Sequence, residues 1–399
     1  MILVETVVIG YNRAAMSTKR PPRSPQSHAA TDVTHDVPSP SSAPSSVSTP
    51  VLAESPSAAP FDGDFTRVAL IDVARRAGVS TATVSRVLNG TAIVREDKRT
   101  AVRKACEDLG YVINGAARAL SSRRSKTIGA VVPTLKTQTF SRMLTAFQQR
   151  VHDEGYTLLL ASSQFDPQLE LQEVTNLLEH GIDALMVVGH THDPKMWQRI
   201  ARSRTPCIQT LSLDPDHPSL GFDNAEVGHQ IADHLVALGH RCIGVIVGTP
   251  STNDRVSERN AGIRKRLAEA GLTLPDDRVI ADAFSLEESR EAMLRLLAQP
   301  GDRPTAIICG NDLLAFGVLL AARASGLRVP EDVSIVGFNN YDFAAHLSPP
   351  LTTVSVDLVQ VGTDSADYLM RELRGRPRIA LPRVPTEFVI RGSTGPVPV

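Results

Sequence analysis

The residues best suited to recognising another molecule lie in one short segment, ALIDVARRAGVSTATVSRVLNG, at positions 69–90. Its first half predicts a helix with one apolar face, formed by Ile71, Val73, Ala74 and Ala77. Gly78 should end that helix, because glycine adopts the left-handed backbone of a helix terminus at little cost. Ser80 is then placed to cap a second helix by accepting a backbone N–H bond.

The second helix should present a polar face to its surroundings. Val84, Val87 and Leu88 recur at the i, i+3, i+4 spacing of a buried helical face. The positions left on the outer face are Thr81, Ala82, Ser85, Arg86 and Asn89. An arginine there can make a bidentate contact to guanine, and Thr81 and Ala82 can touch base edges or a thymine methyl group. Two short helices with a glycine-containing turn predict a helix-turn-helix, although a small helical hairpin with solvated charges would show a similar pattern.

The charge distribution separates this segment from the rest of the chain. The 399 residues carry a net charge of −1, but residues 65–126 hold 13 basic and 5 acidic side chains. A third amphipathic helix is predicted there from Glu96 to Leu109. Its inner face is formed by Val102, Ala105, Cys106 and Leu109. A compact basic module attached to a larger acidic body is typical of a nucleic-acid reader with a second function.

The strings IDVARRAGVSTATVSRVLNG and TAVRKACEDLGY closely resemble the LacI/GalR family of transcriptional regulators. The resemblance implies a helix-turn-helix DNA-binding domain over residues 65–111, in which Thr81, Ala82 and Arg86 read bases. It also implies that phosphates and register are held by Ser80, Thr83, Ser85 and Asn89. The partner would be double-stranded DNA with a near-palindromic operator, because a homodimer presents two headpieces to a symmetric site.

Residues 112–126 match the hinge helix and linker of that family. The resemblance implies that Leu120 inserts into the minor groove, where an apolar wedge unstacks and kinks the duplex. The residues around the wedge would be Asn114, Ala117 and Arg118. Ile113 stands where many family members have proline, so the start of the hinge helix is less firmly set. The cations in residues 123–126 could contact phosphates or belong to an ordinary solvated linker.

From residue 127 onward, apolar runs alternate with amphipathic helical windows that end at glycine. The runs occupy residues 128–132, 157–161, 184–188, 242–248, 305–309 and 333–337. Continuous apolar strands separated by helices predict parallel sheets covered on both faces. The predicted fold class is therefore an all-α helix-turn-helix headpiece followed by an α/β core with two doubly wound parallel sheets. The family resemblance implies that residues 127–399 form a two-lobed, periplasmic-binding-protein-like domain that binds an effector and dimerises.

Ligands of open α/β sheets bind beyond the carboxyl ends of the strands, so residues that follow the apolar runs are candidate effector contacts. These are Thr134, Lys136 and Phe140 after the first run and, by match to the family, Asp223, Arg259, Asn311 and Asn339. Polar groups of this kind suit a sugar or a sugar acid. Asn339 and Asn340 stand where the family usually has aspartate, although either could serve only a turn. The absence of an aspartate charge at position 339, with Lys136 and Arg259 nearby, favours an anionic ligand such as gluconate. The loop at 189–194 also looks like that of gluconate-type repressors.

The rest of the sequence carries no catalytic or metal-binding pattern. The nucleotide-binding, serine-hydrolase and zinc-protease motifs are missing, so neither an enzyme nor a cofactor is expected. His190 and His192 lack further ligands at metal spacing, and Trp197 should pack against its helix rather than stack on a sugar. Free thiols are expected for the scattered cysteines, which are Cys106, Cys207, Cys242 and Cys309.

The amino-terminal residues predict a disordered extension over residues 1–64. Residues 21–60 contain 9 Pro and 10 Ser, a composition that cannot bury enough apolar surface to fold. No apolar run approaches the length of a membrane span, and the opening MILVETVVIG lacks the features of a secretory signal. We therefore expect a cytoplasmic protein without a membrane partner. A solute-binding protein of a transporter would have the reverse pattern, an export signal and no helix-turn-helix.

Overall fold

The computed structural model describes residues 68–89, 93–112, 124–248, 252–377 and 379–398 of the chain. These residues separate into two compact units, residues 68–112 and residues 124–398. The predicted N-terminal extension, residues 1–64, lies outside the described residues. The same is true of the predicted hinge contacts Asn114, Ala117, Arg118 and Leu120.

Three helices form the first unit: α1 (Leu70–Ala77), α2 (Thr81–Asn89) and α3 (Glu96–Leu109). Helix α1 ends at Gly78, whose φ angle of +63° is the left-handed conformation that the sequence predicts. The hydroxyl of Ser80 accepts a hydrogen bond from the backbone N–H of Thr83 at 3.2 Å and so caps α2. The helices enclose a small core whose buried members are Val73, Ala74, Val84, Val102 and Ala105.

The inner face of α1 differs by one residue from the prediction. Ile71 is 55% exposed, and Leu70 packs against the core in its place. Positions 70, 73, 74 and 77 follow the i, i+3, i+4, i+7 spacing of one helical face, and position 71 falls outside it. The prediction that Ile71 belongs to the apolar face was therefore wrong.

Lobe 1 of the second unit is built on a five-stranded parallel sheet in the order β2-β1-β3-β4-β5. Its strands are β1 (Thr127–Val132), β2 (Thr157–Ser162), β3 (Ala184–Val188), β4 (Cys207–Thr210) and β5 (Ser219–Leu220). One face is covered by α4 (Gln138–Asp153) and α11 (Leu358–Leu373), and the other by α5 (Pro167–Glu179) and α6 (Pro194–Ser203). Because all five strands are parallel, their carboxyl ends meet at one edge of the sheet.

Lobe 2 repeats this plan with a four-stranded parallel sheet in the order β7-β6-β8-β9. Its strands are β6 (Ile243–Ile246), β7 (Val279–Ile280), β8 (Ala306–Cys309) and β9 (Ser334–Val336). The covering helices are α7 (Asn224–Ala237) and α8 (Asp254–Glu269) on one face, with α9 (Leu286–Leu297) and α10 (Asp312–Ala324) on the other. Short 3-10 turns occupy Asp276–Arg278 and Ala344–His346.

The chain passes between the two lobes three times. Residues 221–223 lead from β5 into α7, and β10 (Thr353–Val356) leads from lobe 2 into α11. The chain then returns from α11 to β11 (Thr386–Val389), which pairs antiparallel with β10. Gly362 lets α11 pack closely on α4, because a Cβ atom at this position would lie 2.2 Å from the carbonyl oxygen of Met143.

These two sheets confirm the predicted fold class. Each predicted apolar run contains a strand, whereas β4, β5, β7, β10 and β11 lie outside the predicted runs. Helices end at glycines with positive φ angles as predicted, at Gly181, Gly239, Gly271 and Gly326. All four cysteines are free thiols. Within the described residues, no helix combines the length and the apolar character needed to cross a bilayer.

Candidate DNA-reading helix and effector cleft

The outer face of α2 carries the residues that the sequence assigns to DNA. Thr81, Ala82 and Arg86 are exposed, while Val84 on the opposite face is fully buried. This division follows from the helical period, because burial of Val84 in the small core turns positions 81, 82 and 86 outward. The exposed guanidinium on a short, well-capped helix has the geometry needed to enter a major groove.

The residues predicted to hold phosphates have a role in the fold of the same helix. The hydroxyls of Ser80 and Thr83 lie 3.0 Å apart at the N-terminus of α2, where backbone N–H groups face outward. Ser85 is partly exposed, and Asn89 is the last residue of α2. An N-terminus of this kind can accept a phosphate, so the cap and the predicted contact are compatible.

The two lobes meet across a cleft at the carboxyl ends of their sheets, and the first polar contact joins α4 to the loop after β9. Nδ2 of Asn339 donates a hydrogen bond to the hydroxyl of Thr139 at 2.8 Å, and the hydroxyl of Tyr341 lies 2.6 Å from the same oxygen. Beside them, Gln138 and Arg142 bind the carboxylate of Asp342. Neither Thr139 nor Asn339 is more than 9% exposed, so water could not replace these hydrogen bonds if they were lost.

A second interlobe contact joins the start of α8 to the loops after β3 and β4. The carboxylate of Asp254 accepts the backbone N–H groups of His190 at 2.5 Å and Thr191 at 3.3 Å, and the hydroxyl of Ser212 at 3.3 Å. It also pairs with the guanidinium of Arg255 at 2.8 Å. Burial tends to raise the pKa of Asp254, but Arg255 and the His190 N–H outweigh it and hold that pKa below its ordinary value. The carboxylate is therefore ionised and fully hydrogen-bonded between the lobes.

Arg259 lies one helical turn after Arg255 on α8 and rests on an aromatic ring. Its guanidinium carbon is 4.2 Å from the centroid of the Phe338 ring, and Nη1 donates a hydrogen bond to Oδ1 of Asn224 at 2.5 Å. Burial, with the neighbouring charge of Arg255, lowers the pKa of Arg259 to about 9. The positive charge of Arg259 is thus held in a desolvated position, where it would interact favourably with an anion.

Two glycines bring Arg259 to its place by letting α7 and α8 pack closely. A Cβ atom on Gly228 would lie 2.0 Å from the carbonyl oxygen of Arg259, and one on Gly262 would lie 1.9 Å from the carbonyl oxygen of Ala225. Both contacts are backbone to backbone, so neither helix could yield to a larger side chain. Gly262, three residues after Arg259, therefore has a packing role beside that arginine.

Carboxylates accompany these cations on the lobe 2 side of the cleft. Oε1 of Glu258 lies 3.6 Å from Nε2 of His190. Burial raises the pKa of Glu258, and the nearby negative charges of Asp254 and Asp223 raise it further, against the effect of His190 and Arg259. The cleft therefore presents both acceptors and donors, which is the mixture that a polyhydroxylated ligand requires.

The loop after β9 is set by a buried aspartate. Asn339 and Asn340 have φ angles of +93° and +50°, which asparagine tolerates better than most residues. Asp312, at the start of α10, accepts the backbone N–H of Tyr341 at 2.5 Å and the hydroxyl of Thr353 at 2.6 Å. Burial raises the pKa of Asp312 to about 7, despite these hydrogen bonds. The asparagines thus serve a turn, and Asn339 also makes the interlobe contact with Thr139.

The remaining predicted effector contacts have identifiable local roles. Asp223 and Asn311 cap helices, because they accept the backbone N–H groups of Glu226 at 2.9 Å and Leu314 at 3.0 Å. Phe140 is buried in the core between α4 and the five-stranded sheet of lobe 1. Thr134 accepts the backbone N–H of Lys136 at 3.1 Å, and Lys136 itself is exposed.

The sequence analysis did not identify Asp254 and Arg255, because they belong to no motif. Their only signal in the sequence is a charged pair at the start of a helix after an apolar run.

His192 and Trp197 contact side chains of lobe 1, whereas the ring of His190 faces Asp254 and Glu258 of lobe 2. Nδ1 of His192 lies 2.7 Å from the carboxylate of Glu170. The ring of Trp197 stacks on that of His217 with centroids 3.9 Å apart. Over the parts of the chain that the structure describes, no group of three His, Cys, Asp or Glu side chains is placed to hold a metal ion.

Comparison with known proteins agrees with both units. The family model of bacterial regulatory proteins of the lacI family matches residues 69–114, and that of a periplasmic binding protein-like domain matches residues 232–394. The HTH-type transcriptional regulator DegA of Bacillus subtilis is 32% identical over 337 residues, which cover 83% of this chain and 99% of DegA. The HTH-type transcriptional repressor PurR of Photobacterium profundum is 33% identical over 308 residues, which cover 76% of this chain and 92% of that protein.

A solved structure supports the same assignment. The Lac repressor dimer bound to operator and the anti-inducer ONPF superimposes with a TM-score of 0.72 at 28% identity. The match covers 82% of this chain and 99% of that one. The exposed face of α2, the two-lobed core and these likenesses lead to one conclusion. The chain belongs to the LacI family of bacterial regulatory proteins, and it is a DNA-binding transcriptional regulator rather than an enzyme.

Proposed function

We propose that this protein is a homodimeric repressor that binds a near-palindromic operator. A small sugar or sugar acid would either release it from the operator or strengthen its binding there. The observation that carries the effector half of this proposal is Arg259, a cation of lobe 2 that is held on the ring of Phe338 and has a lowered pKa. A desolvated guanidinium with donors to spare favours a ligand that offers a carboxylate or several hydroxyls.

An aldonate such as gluconate fits these groups better than a neutral sugar. Asn339 stands where the family usually has aspartate, so the cleft has one carboxylate fewer than expected. Its amide can donate as well as accept, which suits a hydroxyl or a carboxylate oxygen. Arg259 would take the carboxylate of the ligand, and Lys136 would contribute long-range attraction from the edge of lobe 1. Thr134, Asp223 and Asn311 would bind hydroxyl groups.

On DNA, α2 would lie in the major groove. Thr81, Ala82 and Arg86 would contact base edges, and the residues that hold the phosphates would be Ser80, Thr83, Ser85 and Asn89. In the linker, Leu120 would open a base step in the minor groove, and its neighbours there would be Asn114, Ala117 and Arg118. Two copies of this arrangement require an operator with two related half-sites.

The effector would act by shifting an equilibrium between two arrangements of the lobes. It moves that equilibrium only by the difference between its affinities for the two arrangements. The polar contacts at Asn339 and Asp254 join the two lobes, so a ligand that fits the cleft while they are in place would favour the arrangement that contains them. The linkers of the dimer would then change their separation and their fit to the operator.

Thermal-shift titration of the purified full chain tests the effector class. Gluconate and related aldonates are compared with glucose and other neutral sugars over the same concentration range. Stabilisation by aldonates, together with a change in the operator affinity at saturation, supports the proposal. Stabilisation by neutral sugars alone would overturn the aldonate assignment, and no response of operator binding to any stabilising ligand would overturn the switch.

A further inference from the structure

The first described residues of the core, 124–126, are held to lobe 1 by the carboxylate of Asp183. Oδ1 accepts the backbone N–H of Ser125 at 3.0 Å and its hydroxyl at 3.2 Å, while Oδ2 accepts the backbone N–H of Lys126 at 3.0 Å. One side chain therefore satisfies three donors on two successive residues. Such a carboxylate fixes both the position and the direction of the chain that it binds.

The two cations of this segment are also engaged within lobe 1. Nη1 of Arg124 donates a hydrogen bond to the hydroxyl of Tyr156 at 3.2 Å, and the same guanidinium binds the carbonyl oxygen of Leu373 at the end of α11. Nζ of Lys126 lies 4.2 Å from the centroid of the Tyr156 ring, a cation–π distance. The sequence left these cations open between phosphate contact and a solvated linker, and in the structure both of them contact lobe 1.

The backbone at this point makes a sharp turn into β1. Lys126 has a φ angle of +57°, which a residue with a Cβ atom adopts only where its surroundings require it. The turn is closed on both sides, because Thr157 donates its N–H to the carbonyl of Lys126 at 2.9 Å and Asp183 donates its N–H to the carbonyl of Thr127 at 2.8 Å. The backbone at the start of β1 is thus held by the first residue of β2 and by the residue just before β3.

This segment is the covalent link to the DNA-binding unit. Helix α3 ends at Leu109, the described part of that unit ends at residue 112, and the chain reaches residue 124 after only eleven intervening residues. A tether of this length spans at most about 40 Å, so the place where it starts limits where each headpiece can go. In a dimer, the two starting points together set how well two headpieces match the spacing of two half-sites.

We propose that Asp183 is a positioning residue for operator binding: with Tyr156, it clamps residues 124–126 and so fixes the base of the linker that carries the headpiece. The inference rests on the proposed binding of a two-half-site operator by a dimer. Asp183 touches no DNA in this account. Its effect reaches the operator through the geometry of the linker, so it should alter the preference for half-site spacing as well as the affinity.

Lobe 1 offers a matched control for a purely structural effect. Asp166 caps α5 by accepting the backbone N–H groups of Gln168 at 2.8 Å and Leu169 at 3.4 Å. It is a carboxylate of the same lobe that also holds two successive N–H groups, but those groups belong to a helix start and not to the linker. Asp166→Ala should therefore lower stability in the same manner without moving the linker.

The test uses the full chain and an operator obtained by in-vitro selection with the wild-type protein. Fluorescence anisotropy gives the affinity for this operator and for a copy with one base pair inserted at its centre. Stoichiometric titration with the operator corrects for the fraction of protein that is misfolded. We expect Asp183→Ala to weaken operator binding by about fivefold or more. It should also reduce the ratio of the affinity for the operator to the affinity for the copy with the inserted base pair. Asp166→Ala should leave both values at the wild-type level. Asp183→Glu, which keeps the charge, should recover part of the loss.

Each outcome separates this inference from the proposed function. If the wild type prefers no duplex, the proposed function itself fails. If the wild type binds a two-half-site operator but Asp183→Ala retains both its affinity and its spacing ratio, the clamp has no positioning role. Equal losses in Asp183→Ala and Asp166→Ala would reduce the role of Asp183 to stability and would likewise overturn the inference.

Discussion

The carboxylate of Asp254 in lobe 2 lies 2.9 Å from Nδ1 of His190 in lobe 1 and accepts the backbone N–H of the same residue at 2.5 Å. The two residues are 64 positions apart in the chain. Gly189 makes the approach possible, because a Cβ atom there would lie 2.8 Å from both carboxylate oxygens of Asp254. A charged group of one lobe is therefore seated among the backbone amides of the other.

Asp254→Asn should weaken this interlobe contact and leave Arg255 without its buried counterion. Breaking one partner out of a buried pair costs about 3 kcal/mol of the free energy of unfolding. The pKa of Asp254 lies below its ordinary value, so the stabilising effect of its ionised form is present above the unfolded-state pKa and is lost as the pH falls through the folded-state value. In urea unfolding, the free energy of unfolding of the variant should lie well below that of the wild type at pH 7. The difference should be smaller at pH 3.

The control for that experiment is Asp193→Asn at the start of α6. Asp193 accepts the backbone N–H of Lys195 at 2.8 Å, and asparagine caps helices as well as aspartate does. This variant should unfold like the wild type at both values of pH. A difference between Asp254→Asn and wild type that does not change with pH would show that the charge of Asp254 contributes nothing.

Asp312→Asn tests the buried aspartate beneath the loop after β9. Burial raises the pKa of Asp312 to about 7, so the folded protein holds this proton after the unfolded chain has lost it. A raised pKa means that the wild type loses stability as the pH rises from about 4 to 7, and the neutral amide does not. The free energy of unfolding of the variant should rise by about 4 kcal/mol relative to wild type between pH 4 and pH 8. Parallel stability curves over this range would mean that Asp312 ionises normally.

Arg259→Lys should reduce the response to effector while leaving operator binding in its absence unchanged. Lysine keeps the positive charge but loses the planar group that rests on Phe338 and the paired donors that bind a carboxylate. We expect the effector affinity to fall about tenfold or more, measured by thermal-shift titration. Arg264→Lys, on the same helix but bonded to Asp276 at 2.7 Å, is the matched control. Equal effector affinity in both variants would remove Arg259 from the binding site.

Arg86→Ala should relax the base preference at one position of each half-site. A bidentate contact from arginine to guanine contributes about 1–3 kcal/mol of discrimination. In-vitro selection with the variant should therefore return mixed bases where the wild type returns guanine. Arg103→Ala, an exposed arginine on α3, should return the wild-type motif. An unchanged motif from the Arg86 variant would exclude this side chain from the set that reads bases.

Local patterns were enough to predict most elements of the fold. The bounds of α3, Glu96 to Leu109, agree with the prediction, because an amphipathic helix that ends at a glycine is specified by its own sequence. The buried strand β3 agrees for the same reason. Ile71 was assigned to the wrong face because, on a helix as short as α1, a single apolar residue decides which side looks apolar. The antiparallel pair β10–β11 escaped prediction because it depends on the return of the chain from α11.

The cleft was less predictable than the fold. Arg259 was named by its match to the family, and its role as an effector contact stays a prediction. Asn339 lies between the lobes next to Thr139. Asp254 and Asp183 were missed, because each acts on backbone groups far away in sequence and neither belongs to a motif. A carboxylate that binds main-chain amides leaves no pattern of partner side chains, so only the folded chain reveals it.

The most direct test of the account is a comparison of the wild-type chain on two duplexes at one moderate salt concentration: the best sequence from in-vitro selection, and a scrambled duplex of the same composition. The account predicts that the selected site is symmetric and is bound about a thousandfold more tightly than the scrambled one. Equal affinity for the two duplexes, with or without candidate effectors, would contradict it.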